Sequence, residues 1–201
     1  MRGRVRRRTS ECLREKLQRR PVFGTNVANT RPRMIVHDYN GTGFWSPEAV
    51  QRRYKLYARR YGVPPLYDLS PRVHQEGGKR WVYPVIGRVI ECIETGDLAC
   101  AEIGVEFIEE SASFLFGMIL KSNTARALRR GRLTDEQKDR IRARAVRMLC
   151  AGYLPREYRH YAKLVRKIGI GDYLPRIERE ANLNDAWVKH YYDYFKQHSV
   201  G

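Results

Sequence analysis

Between residues 85 and 168 apolar side chains recur every three or four positions, in runs broken by helix start and stop signals. That spacing predicts four or five packed helices. In the first, Ile86, Val89, Ile90 and Ile93 form a stripe, and Thr95, Gly96 and Asp97 close it and cap its successor. The successor turns Ala99, Ile103 and Phe107 inward, with Cys100 beside them. Residues 114–120 are almost wholly apolar, so the pattern predicts the buried centre of the domain there, continuing through Ala125 and Leu128. Thr134 and Gln137 have the spacing of a capping box, ahead of a helix with Ile141, Ala145, Met148 and Leu149 on one face. Gly152 ends that helix, and Pro155 opens another with Tyr158, Tyr161, Val165 and Ile168 inward. A short helix at 176–181 precedes a last one at 184–197, where Trp187, Tyr191, Tyr194 and Phe195 repeat at helical spacing as a core-facing stripe.

The N-terminal side is patterned differently. Residues 34–39 have strand composition, residues 40–43 read as a turn, and Phe44 and Trp45 resume extended chain, which together predict a hairpin. Ser46 is an N-cap with Pro47 at the first helical position. Val50, Tyr54, Tyr57, Ala58 and Tyr61 then share one helical face. The end of this helix, Ala58 to Val63, resembles the first helix and turn of a helix-turn-helix over about ten residues. Pro64 and Pro65 leave no room for a recognition helix, so a DNA-binding regulator with an atypical motif at 46–71 stays a minor alternative. Residues 72–75 and 79–83, joined by Glu76, Gly77 and Gly78, read as a second hairpin.

The expected fold is mainly α, an array of short antiparallel helices in orthogonal or HEAT-like packing, with one or two small β-hairpins on the N-terminal side. The likeness to HEAT or armadillo arrays is architectural only, since no consensus repeats at a fixed period. Residues 1–33 form a basic arm, and 34–201 a single helical domain: hairpins and a basic helix at 34–83, the helical core at 84–169, and C-terminal helices at 170–201.

Charge adds the functional content. The 201 residues carry 39 Lys and Arg against 22 Asp and Glu, a formal net charge of +17. Such a surplus favours a polyanionic partner, through long-range attraction and counterion release. No apolar run approaches the roughly 18 residues of a membrane span. The charge is also segregated: residues 83–120 hold seven acids against Arg88 alone, whereas 121–169 hold fifteen Lys and Arg against four acids. The acidic run reads as a solvated face or as one that pairs with the basic helices of the chain itself. Cys12, Cys92, Cys100 and Cys150 lack paired metal or redox spacing, and read as free thiols in a reducing compartment. An intracellular setting follows, cytoplasm or nucleoid, with organelle import through the Arg-rich N-terminus as the other option, since no apolar secretory segment is present.

Candidate phosphate contacts are the arm residues Arg4, Arg6, Arg7 and Arg8, then Arg52, Arg53, Lys55, Arg59 and Arg60 on the first helix. Lys79, Arg80 and Trp81 on the second hairpin suit a wing that meets phosphate and base. Arg126, Arg129 and Arg130 follow, then outward stripes of Arg140, Arg144 and Arg147, and of Arg159, Lys163, Arg166 and Lys167. The expected function is binding of RNA or DNA through phosphates, tilted towards structured RNA or a ribonucleoprotein by the excess of arginine. The alternative is a protein-interaction scaffold whose acidic and basic helices meet oppositely charged partners. No catalytic motif names a reaction, and an enzyme would need His37, Asp38 and His74 to converge. No cofactor or metal set is legible; Glu157 and His160 stand three apart but lack the matching pair of a di-iron bundle.

Overall fold

A computed structural model of the chain describes residues 34–110 and 116–199. The predicted basic arm, with Arg4, Arg6, Arg7 and Arg8, lies outside the described residues, as do Cys12, Phe114 and Leu115. The protein is mainly helical with a small sheet on its N-terminal side. In chain order come β1 (Ile35–Asp38), α1 (Pro47–Arg60), β2 (Val73–Glu76), β3 (Lys79–Val82), α2 (Ile86–Glu94) and α3 (Leu98–Glu109). They are followed by α4 (Gly117–Arg130), α5 (Asp135–Cys150), α6 (Tyr158–Ile168), α7 (Leu174–Glu180) and α8 (Ala186–Gln197).

The helix ends are where side-chain chemistry places them. Ser46 Oγ accepts the Ala49 N–H at the start of α1, and Asp97 accepts the Cys100 N–H at the start of α3. Thr134 and Gln137 make the full capping box of α5. The second hairpin also forms, β2 antiparallel to β3 with both turn glycines at positive φ. The first does not. β1 instead pairs in parallel with β3, while Phe44 and Trp45 lie in a 3-10 turn that sends Trp45 into the core. The sheet order is therefore β1-β3-β2, with α1 inserted between the parallel strands. After α1 no recognition helix follows, because the chain has no helix before β2.

At the centre is α3, which packs against α1, α2, α4 and α5. A glycine allows its closest approach: a Cβ on Gly104 would stand 2.6 Å from Ile93 Cδ1 on α2. Ala99, Cys100, Ile103 and Phe107 are buried as the apolar stripe requires. Cys92 and Cys100 are free and buried, and Cys150 is free and half-buried.

The acids of α3 are not a solvated face. Glu102 is only 2% exposed: one oxygen accepts from Tyr61 Oη at 2.7 Å and Gln137 Nε2 at 2.9 Å, and the other is paired with Arg140. Glu106 takes Arg53 and Tyr57, Glu109 takes Arg140, and Glu110 accepts from Trp45 Nε1 at 3.2 Å. Partners rise in number along α1 as the glutamates fall along α3, so the two helices run against each other along this seam. Outside this order, Tyr54 Oη donates to Asp97, the cap of α3, at 3.0 Å, and burial with this contact pushes the Tyr54 hydroxyl pKa far up.

Three residues of the apolar segment behave contrary to their composition. Phe116, Met118 and Ile119 are 50%, 59% and 59% exposed, while Lys121 is buried with its ammonium on the Glu110 carbonyl. The inward face of α4 begins at Lys121 and continues through Thr124, Ala125 and Leu128, which leaves Ile119 on the opposite side, while Met118 stands in the first turn, ahead of the buried part of the helix. Trp187 departs likewise. At 68% exposed it lies off the α8 core face made by Val188, Tyr192 and Phe195.

Replacing Glu102 by Ala strands Arg140, Gln137 and Tyr61 around a missing acceptor and is expected to cost about 3 kcal/mol in urea unfolding. Exchanging Glu102 and Arg140 together for Leu and Met should recover part of it, the share due to the uncompensated Arg140 charge, with Gln137 and Tyr61 still lacking their acceptor. The same carboxylate sets an acid limit. Burial pushes its pKa up, but the hydrogen bonds from Gln137, Tyr61 and Arg140 outweigh this and hold it below the usual value of 4.5. Its contribution is complete above that value and fades as pH falls through the lowered one. Glu102→Gln should accordingly flatten the dependence of the urea midpoint on pH below about 4.5.

Candidate nucleic-acid interface

The internal pairing removes several arginines from any outer surface. Arg140 is held by Glu102 and Glu109, and Arg53 by Glu106, with its guanidinium also on the Phe44 carbonyl at 2.6 Å and 3.6 Å over the Phe44 ring. Arg53 and Arg140 are therefore parts of the core seam, and the predicted outward stripe through Arg140 is corrected on that account. Arg60 pairs with Glu136 at 2.8 Å and Arg130 with Glu94 at 3.0 Å, both on the surface. Arg144 is half-buried, with its Nε sealed and without a hydrogen bond. Arg147, next on that stripe, is exposed.

A different set is left free. α4 and α6 pack together, and Arg126 and Arg129 from the first stand with Arg159 and Lys163 from the second around His160. Among the described residues none of these four cations has an ion-pair partner. Arg126 donates to Asn123, and Arg159 Nε lies 3.2 Å from His160 Nε2. Burial first, and then the four charges, push the His160 pKa down, which favours the neutral imidazole that accepts from Arg159. Further along α6, Arg166 lies over the Tyr194 ring at 5.8 Å and Lys167 is exposed.

Two cavities flank this face. One, about 370 Å³, is walled by Met118 and Ile119 and edged by Asn123, His160 and Glu157. Glu157 is 7% exposed, with its Oε2 buried and without a hydrogen bond. The other, about 410 Å³, lies between the start of α6 and the start of α8, with Leu154, Pro155, Tyr191 and the exposed Trp187 around it. Arg156 and Arg159 border both. Sequence reasoning missed Arg156, which stands in the α5–α6 connection outside any stripe, and Trp187, which it assigned to the core.

A second cationic region follows α1 and the sheet. Arg52, Lys55 and Arg59 are exposed on α1, and Lys79 and Arg80 on β3, with no ion pair among the described residues. Trp81 is stacked between His37 and His74, at centroid distances of 6.0 and 5.4 Å. The two histidines are thus held apart by an indole, and Asp38 turns to the backbone and side chain of Asn40, so no catalytic group assembles from them. The sheet end adjoins the apolar start of α4, where Tyr39 meets Phe116 edge-on at 5.4 Å.

No protein-family model, curated protein or solved structure matches the chain. Among the described residues no helix is long and apolar enough to cross a membrane, and no three His, Cys, Asp or Glu side chains gather as a metal site.

Because Met118 and Ile119 are surface residues, changing both to Ser should leave the protein within about 0.5 kcal/mol of the wild type in stability. A large loss in thermal denaturation would return them to the core that their composition suggests.

Proposed function

We propose that the protein binds nucleic acid, RNA in the first instance, through phosphate contacts centred on the α4–α6 face. The observation that carries this reading is the fate of the acids. The carboxylates of α3 are consumed inside the fold by Arg53, Arg140 and tyrosine hydroxyls, while Arg126, Arg129, Arg159 and Lys163 crowd together without an ion-pair partner among the described residues. Like charges so placed repel one another, and a phosphate backbone relieves the repulsion and releases counterions. Arginine forks add bidentate pairing to phosphate oxygens. The cations on α1 and β3 supply a second contact region, and the basic residues 1–33 add to the attraction. A scaffold built on the acidic helix is less favoured, because Glu102, Glu106 and Glu109 are already occupied within the fold.

Replacing Arg126, Arg129 and Lys163 together by Gln should weaken binding to all sequences by a similar factor, measured by anisotropy at several salt concentrations. The slope of log affinity against log salt should fall by about two, since each phosphate neutralised by the protein contributes roughly 0.7 to 0.9 to it. The thermal midpoint should not fall, since the three side chains form no ion pair among the described residues. An unchanged slope would remove this face from the interface.

A further inference from the structure

The two cavities beside the α4–α6 face share a feature that phosphate binding alone does not use. Arg156 and Arg159 form the ridge between them, and each cavity has an apolar or aromatic wall open to solvent. In one the wall is Trp187, 68% exposed, its helix start fixed by Asp185, which accepts the Trp187 N–H at 2.8 Å. Tyr191, which also lines this cavity, is braced edge-on against the buried Tyr158 at 4.7 Å. In the other the wall is Met118 and Ile119, each 59% exposed, facing the polar edge groups Asn123, His160 and Glu157. At about 410 and 370 Å³ both lie near the lower end of the roughly 300 to 1,000 Å³ range of small-molecule clefts.

Large apolar side chains held in the open beside unpaired arginines are costly to solvate and are suited to flat, partly apolar ligands that carry negative charge nearby. An unstacked nucleotide has both properties. We propose that the paired cavities take two consecutive unstacked bases of a single-stranded nucleic acid, one against Trp187 and one against Met118 and Ile119, with the phosphate between them on Arg156 and Arg159. In the second cavity Asn123, the neutral imidazole of His160 and the Glu157 carboxylate meet the polar edge of the base. A duplex keeps its bases stacked and paired and contacts only the cationic ridge. The assignment rests on the nucleic-acid reading above and refines it to single strands or unpaired loops.

The test compares a labelled single strand with an abasic strand of the same length and phosphate count, by anisotropy with the full-length protein. The base-bearing strand should bind about tenfold more tightly, the advantage expected of base stacking on an aromatic ring. Trp187→Ala should remove most of that advantage and leave the abasic affinity unchanged, while Trp187→Phe should keep it. The exposure of Trp187 makes both variants safe for the fold, and an unaltered thermal midpoint checks this. Equal binding of the two strands by the wild type, or an advantage that survives Trp187→Ala, would overturn base uptake while leaving phosphate binding in place. Binding of neither strand would overturn the nucleic-acid reading itself and this proposal with it.

Discussion

The fold depends on neutralising the carboxylates of α3 inside the protein. α3 packs against four other helices, and an isolated carboxylate at the burial of Glu102 is not sustainable. The chain meets this with donors from two directions. Arg53, Tyr57 and Tyr61, spaced four apart along α1, line one side, and Gln137 and Arg140 on α5 close the other. Desolvation and hydrogen bonding oppose each other at Glu102, and the net lowering of its pKa shows that the donors win. The seam therefore gives directional matching between α1, α3 and α5, beyond the non-directional pull of the apolar stripe.

This arrangement decides what the surface looks like. In a chain with 39 basic and 22 acidic residues, Glu102, Glu106 and Glu109 are turned to partners within the fold and offer little charge to the solvent. The cations fall into two groups with different roles. Arg53 and Arg140 are structural, locked to glutamates, whereas Arg126, Arg129, Arg159 and Lys163 have no ion-pair partner among the described residues and add to burial in lowering the basicity of the histidine in their midst. The second group, like the exposed cations of α1 and β3, has charge to spare for a ligand. Beside it the apolar wall of Met118 and Ile119 and the indole of Trp187 give the same region a capacity for flat apolar surfaces.

Much of the architecture was legible in the chain because it rests on local rules. Caps at Ser46, Asp97 and Thr134 need only neighbouring residues, and the stripes of α2, α3, α5 and α6 follow from the helical period. The glycine turn between β2 and β3 is local too. What failed was non-local. The strand at Ile35–Asp38 was legible as extended chain, but its choice of a parallel partner 44 positions on, with Ile35 opposite Lys79, is a tertiary decision. Phe116, Met118 and Ile119 have core composition and are exposed, because the packing of α4 on its neighbours sets which of its residues are covered.

By itself, then, the sequence determined the helical class, the helix boundaries, the excess positive charge and its separation from an acidic run, all properties of composition and short-range spacing. The tertiary structure alone decided which charges cancel and which remain. Arg140 and Arg159 look alike in the sequence, each in a basic stripe on an amphipathic helix. One faces two glutamates on a buried neighbour, and the other faces a histidine and three further cations. The strength and even the sign of an electrostatic interaction depend on distance and burial, and neither is written in the order of residues along a chain.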